Sequence, residues 1–285
     1  MLWQRVVTAA VLLLVLLPAL FFSSPVPFSA VALLFIVAAT WEWARLAGYG
    51  QAPALAASLA CGLLCLAGWS AGWLDAPPRL LWLGATVLWV VGGAWLLLRG
   101  APAWAGLPRA MRLLLGVLIL FVAWLAVARA RNLGINFLLS ILVLVWVADV
   151  FAYFAGRTWG GRIVARKLAP AISPGKSWEG VWGGMLGVAM LGFAWRWADA
   201  HWQIPVLSLY SGLATVGPWV MLASILALAA ISVVGDLMES LVKRVAGAKD
   251  SSALLPGHGG VLDRVDALLP TVPFALLMHS VLVAP

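Results

Sequence analysis

Residues 240–266 read SLVKRVAGAKDSSALLPGHGGVLDRVD. They gather Lys243, Arg244, Lys249, Asp250, His258, Asp263, Arg264 and Asp266 in a chain where only 10% of residues are charged. Between the two charged halves stands Gly257-His258-Gly259-Gly260. Lysine and arginine offset phosphate charge, and carboxylates hold a hard divalent cation. Amides flanked by glycine approach phosphate oxygens closely. The stretch therefore suits a polyphosphate with its divalent metal, and it marks an enzyme. Gly259, Gly260 and Arg264 are expected substrate contacts, and His258 between glycines is read as a phosphate contact over a structural residue.

Just upstream, Asp236, Ser240 and Lys243 stand at i, i+4 and i+7 and share one helix face. At 1.5 Å per residue, that face lines up a carboxylate, a hydroxyl and a cation over about 10 Å. Glu239, at i+3, either joins them or caps the edge. The plainer alternative is an intrahelical Asp–Lys arrangement that softens the helix end. Asp263 and Asp266, at i and i+3, face one way if helical. Asp236 and Asp263 are then oxygen donors from two elements, as Mg²⁺ prefers. No His/Cys cluster argues for zinc.

Two more groups precede these. Asp149 lies in the apolar run LLVLVWVADVFAYFAGR. A carboxylate inside a span costs about 2.5–3.5 kcal/mol and usually faces a polar cavity or a partner; a local ion pair with Arg157 is the alternative. Ser173-Pro174-Gly175-Lys176-Ser177-Trp178-Glu179-Gly180 contains a GKS triplet, but the glycine a P-loop needs is Pro170. What remains is Lys176, the hydroxyls of Ser173 and Ser177, and Glu179 at the mouth of a span. The alternative is an interfacial cap with Lys176 on lipid headgroups.

The elements that must position these groups are membrane spans. The chain has 285 residues, 64% of them hydrophobic, and several runs reach the roughly 20 apolar residues that cross a bilayer core. Nine spans are expected, at approximately 6–22, 26–47, 54–74, 79–98, 111–128, 136–156, 181–198, 218–242 and 267–284. The fold class is an all-α polytopic bundle. The first span is read as a retained helix, because its apolar region is long for a signal peptide and no A-x-A-like site follows. Segment 204–217 is too short to cross and is read as an external or re-entrant piece. The net charge of +8 comes from arginines spread over short loops, which excludes nucleic acid as a partner. Loop charge places the N-terminus and both rich loops in the cytoplasm and the C-terminus outside. Cys61 and Cys65 read as small buried hydrophobes. Eight of the ten acidic residues follow residue 148. Residues 1–130 are therefore expected to be scaffold, lipid groove or dimer surface, and residues 131–285 to carry the chemistry.

The pattern S-L-V-K-R-x4-K-D-x-S-x2-L-P-G-H-G-G-V-L-D-R-V-D resembles the signature of the phosphatidate cytidylyltransferase (CDP-diacylglycerol synthase) family. Asp149-x-x-Ala152-Tyr153-x-x-Gly156-Arg157 and the 173–180 segment are similar to the same family. Where members commonly have Gly in a Lys-Asp-Ser-Gly segment, this chain has Ser252, followed by Ala253. The resemblance implies a dimeric inner-membrane enzyme that joins CTP and phosphatidic acid into CDP-diacylglycerol and pyrophosphate. It implies Mg²⁺, with K⁺ as an optional second ion, and metal-binding carboxylates at Asp236 and Asp263. On that reading Lys243, Arg244, Lys249 and Lys176 offset the charge of the leaving pyrophosphate, and Asp149 and Glu179 hold a second cation or order the basic side chains. Two other classes compete. An ion-coupled transporter would use Asp149 and Asp236 as relays, but its halves should repeat and here charge is confined to one half. A CTP-dependent polyprenol kinase would share the metal logic and differ in acceptor and product.

Overall fold

The computed structural model describes residues 2–283. Helices follow one another as α1 (Leu2–Phe21), α2 (Val26–Leu46), α3 (Gln51–Ser70), α4 (Arg79–Val87), a π turn (Leu88–Gly92), α5 (Gly93–Arg99), α6 (Ala101–Gly106), α7 (Arg109–Leu133), α8 (Ile135–Trp159), α9 (Trp178–His201), α10 (Leu209–Val216), α11 (Pro218–Val245), α12 (Leu262–Val265) and α13 (Leu268–Met278), which closes in a π turn over His279–Val283. No strand occurs among the described residues, and the two isolated bridges, Ala169–Ser173 and Leu255–Gly259, are in loops.

Eight segments are long and apolar enough to cross a membrane: α1, α2, α3, α4–α5, α7, α8, α11 and α12–α13. The ninth expected crossing is α9, whose glycines and polar ends dilute its hydropathy. Its 24 residues span about 36 Å, more than a bilayer core. Packing shows that it runs the full length of α8 in the opposite direction. Asn136 Nδ2 donates to Asp199 Oδ1 at 3.0 Å at one end. At the other, Gly156 and Gly160 close on Ser177. Eight of the expected spans thus meet both length and hydropathy, with edges shifted by a few residues, and the ninth, α9, meets length alone; position 284 of the last one lies outside the described residues.

Glycine explains how α8 and α9 approach so closely. Gly180, Gly183, Gly184 and Gly187 form two small-xxx-small stripes along α9. A Cβ on Gly184 would stand 2.9 Å from the Ala148 carbonyl oxygen, and one on Gly180 would stand 3.0 Å from that of Ala152. With no apolar driving force between helices in lipid, backbone-to-backbone packing of this kind holds them together.

α10 does not cross. Its eight residues span about 12 Å. Ser208 caps it, accepting from the Ser211 amide at 3.1 Å. The Ser208 and Ser211 hydroxyls donate to Asp199 Oδ2 at 2.5 and 2.6 Å. Tyr210 Oη donates to the Ser140 carbonyl at 2.7 Å, deep in the bundle. The segment is a buried half-helix at the Asp199 end.

The opposite end collects the charged loops. There Thr8 of α1 donates to the Pro256 carbonyl at 2.9 Å, Arg109 bonds the Gly48 carbonyl, and Arg244 Nε donates to the Ile172 carbonyl at 3.3 Å. The loops sorted together by charge are therefore together in space.

Candidate active site

At that end α8, α9, α11 and the 160–177 loop enclose a cavity of about 370 Å³. α8 contributes Asp149, Tyr153, Gly156 and Arg157; the loop contributes Gly175, Lys176 and Ser177; α11 contributes Val233 and Asp236. Lys176 Nζ makes an ion pair with Asp236 Oδ2. Ser240 Oγ, one turn on, stands 3.4 Å from Asp236 Oδ1.

The loop is built, not loose. Glu179, buried at the start of α9, accepts the amides of Gly161, Ile163 and Val164 on one oxygen at 3.1, 3.0 and 2.9 Å. Ser177 caps α9, accepting from the Gly180 amide at 3.2 Å. Ser173 N donates to the Ala169 carbonyl at 2.8 Å, and Lys176 N donates to the Ser173 carbonyl at 3.2 Å, which aims Lys176 inward.

Gly235 brings a third carboxylate to this place. A Cβ there would stand 2.6 Å from the Asp266 carbonyl oxygen, so only glycine lets the α12–α13 turn lie on α11. Asp149 and Asp236 line the cavity itself, with Lys176 paired to Asp236, and the backbone of Asp266 is held against α11 beside them. Among the described residues no three such groups form a complete metal cage. The ammonium of Lys176 takes the place of a cation on Asp236.

A second cluster lies deeper. Lys243 Nζ is 2.5 Å from Glu239 Oε2 and 2.6 Å from Asp263 Oδ1. Asp263 Oδ2 accepts the Ser251 amide at 2.9 Å, the Ser251 hydroxyl at 2.9 Å and the Gly260 amide at 2.7 Å. Gly257 and Gly259 have φ of +78° and +81°, which only glycine adopts freely. Leu255 N bonds the Gly259 carbonyl and His258 N bonds the Leu255 carbonyl, each at 2.8 Å. Arg264 Nη2 donates to the His258 carbonyl at 2.8 Å.

The geometry gives several of the expected site residues other partners. Asp236 is partnered by Lys176, and Asp263 by Lys243 and the loop, so the expected Asp236–Asp263 pairing is not the one the fold makes. Lys243 left the Asp236 face for Glu239 and Asp263, because a buried ammonium needs carboxylates around it. The amides of His258 and Gly260 are used inside the turn, Gly259 supplies its positive φ, and Arg264 bonds the His258 carbonyl. Glu179 anchors a loop with one oxygen. Arg157 donates to Tyr153 Oη at 2.8 Å and makes no ion pair with Asp149 among the described residues. Lys249 and Asp250 are exposed and do not line the cavity. Arg244, also exposed, ties the two loops.

The residue missed by sequence reasoning is Glu42. It sits on α2, in the half expected to be inert, and is fully buried. Its carboxylate takes four bonds from the 251–262 stretch. The available signal was its rarity: Glu42 and Asp75 are the two acidic residues before Asp149, and Glu42 lies inside an apolar span.

A helical membrane bundle with Asp149, Asp236, Lys176 and Arg157 around one cavity fits the class of integral membrane enzymes that work on phosphorylated substrates. The sequence matches the cytidylyltransferase family over residues 3–282. The chain belongs to that family. It is 39% identical over 288 residues to the phosphatidate cytidylyltransferase of Pseudomonas aeruginosa, covering 98% of each chain. To that of Haemophilus influenzae it is 38% identical over 295 residues, covering 96% of this chain and 97% of the relative. To that of Thermotoga maritima it is 38% identical over 153 residues, about half of each.

Proposed function

We propose that the chain transfers CMP from CTP to phosphatidic acid, giving CDP-diacylglycerol and pyrophosphate. The observation that carries this reading is near-full-length similarity to phosphatidate cytidylyltransferases, joined to a cavity where Lys176 and Asp236 meet. A phosphate oxygen of phosphatidate attacks the α-phosphorus of CTP. The new P–O bond forms as the α–β phosphoanhydride bond breaks, and pyrophosphate leaves with the bonding electrons. The attacking oxygen is already anionic, so no strong base is required. Such transfers depend on positioning and on offsetting charge.

The carboxylate donors at the cavity suit a hard divalent cation such as Mg²⁺, since its lining holds no His or Cys. Asp236 would be the principal ligand, with Asp149 and Asp266 beside it; Asp263 would join only on releasing Lys243. The ion would neutralise phosphate charge when bound. Lys176, freed from Asp236, meets a phosphate oxygen, and Arg157 on Tyr153 faces the same space. Loop charge supports a cytoplasmic site, where CTP is made. The exposed apolar faces of the early helices suit a homodimer contact, and crosslinking in membranes tests it.

The deciding experiment incubates purified protein with labelled CTP, Mg²⁺ and phosphatidate and identifies the products. Labelled CDP-diacylglycerol with stoichiometric pyrophosphate is expected. CDP with a phosphorylated polyprenol, or ion flux without CTP turnover, would overturn the reading.

A further inference from the structure

The Glu42 side chain is fully buried on α2, some 210 residues away in sequence from the stretch it holds. Its Oε1 accepts the Ser252 hydroxyl at 2.6 Å and the Val261 amide at 2.9 Å. Its Oε2 accepts the Leu262 amide at 2.7 Å and the Ser251 hydroxyl at 3.1 Å. One of these donors is the first amide of α12, Leu262, and another is that of Val261 at its N-cap; neither has an acceptor within the helix. A carboxylate from another helix therefore caps the element that carries Asp263 and leads into Asp266.

Glu42 also couples directly to Asp263. The Ser251 hydroxyl lies 2.9 Å from Asp263 Oδ2 and 3.1 Å from Glu42 Oε2. It has one hydrogen for two carboxylates, so any shift of one is felt by the other. Gly260 is part of the same arrangement: a Cβ there would collide with both the Ser251 hydroxyl and the Glu42 carboxylate. The second glycine of the Gly259-Gly260 pair is there to admit Glu42, which explains a motif residue that contacts nothing in the cavity.

We propose that Glu42 is a positioning residue for the reaction. It fixes the 251–266 turn, and with it Asp263 and Asp266, against α11 from the opposite half of the chain. This rests on the cytidylyl-transfer reading and extends it: α2 becomes part of the catalytic unit.

The test compares full-length wild type with Glu42→Gln, Ser252→Ala and Asp199→Asn in one detergent. Gln offers one acceptor oxygen where four donors need two. Removing a partner that orients metal-binding residues typically costs 10- to 100-fold in activity or metal affinity. Glu42→Gln should therefore lower kcat by roughly 10- to 100-fold and raise the Mg²⁺ concentration for half-maximal rate several-fold. Ser252→Ala, which keeps the carboxylate, should move both in the same direction by less, and serves if Glu42→Gln does not fold. Asp199→Asn disturbs another buried carboxylate at the far end and should lower Tm while leaving the Mg²⁺ requirement unchanged. Lysine-specific proteolysis after exposed Lys249 needs no activity and should speed up by about tenfold in Glu42→Gln. A Glu42→Gln protein with the wild-type Mg²⁺ requirement and wild-type cutting would overturn the proposal. So would an Asp199→Asn protein that shifts the Mg²⁺ requirement equally. Should wild type make no CDP-lipid, the functional reading fails, and the proteolysis alone decides whether Glu42 holds the turn.

Discussion

Lys243 offers the sharpest separation of a structural cation from a substrate contact. Its side chain is 13% exposed, and those of its partners Glu239 and Asp263 are 2% and 5% exposed. Substituting methionine keeps the aliphatic length and removes the charge. Two carboxylates, previously 2.5 and 2.6 Å from the ammonium, are left facing one another without compensation. Removing one partner of a buried ion pair costs about 3–5 kcal/mol. At about 2–4 °C per kcal/mol for a chain of this size class, Lys243→Met should lose on the order of 10 °C in Tm. Tryptophan fluorescence reports the transition, since the chain has 18 tryptophans. The double variant Lys243→Met/Glu239→Gln removes one stranded charge and should recover part of the loss, with an interaction energy of about 0.5–3 kcal/mol. Additive losses in the two variants would refute the triad and return Lys243 to the role of a phosphate contact.

Other outcomes follow from the same geometry. Asp236→Asn should abolish turnover while the protein inserts and purifies normally; near-normal activity would remove Asp236 from the metal site. Gly184→Leu should separate α8 from α9, since even a Cβ meets the Ala148 carbonyl at 2.9 Å; an overpacking loss of about 1–3 kcal/mol is read as a lowered Tm, and with it a raised KM for CTP. Tyr153→Phe removes the 2.8 Å bond that orients Arg157 and, at about 0.5–1.5 kcal/mol for one bond, should raise the CTP KM roughly 2- to 10-fold with little change in Tm. Glu179→Ala strips an acceptor from three amides and should open the 160–177 loop to cleavage at Arg162, Arg166 and Lys167, measured by limited proteolysis.

Sequence alone determined the all-α polytopic class, the end of the bundle at which the charged loops meet, and the stretch that carries the family signature. These are legible because hydropathy and loop charge are sums over neighbouring residues, and solvation in lipid acts on each span almost independently. α9 was legible for the same reason, although its glycines dilute the signal. What tertiary structure decided was partnership. Lys243 and Asp236 share a helix face in the sequence, yet Lys243 turns to Glu239 and Asp263, and Asp236 takes Lys176 from a loop about 60 residues earlier. Glu42 meets Val261 and Leu262 from more than 200 residues away. A buried charge finds the nearest group that can neutralise it in three dimensions, and that distance is set by how glycine-faced helices close on one another. No spacing along the chain encodes it.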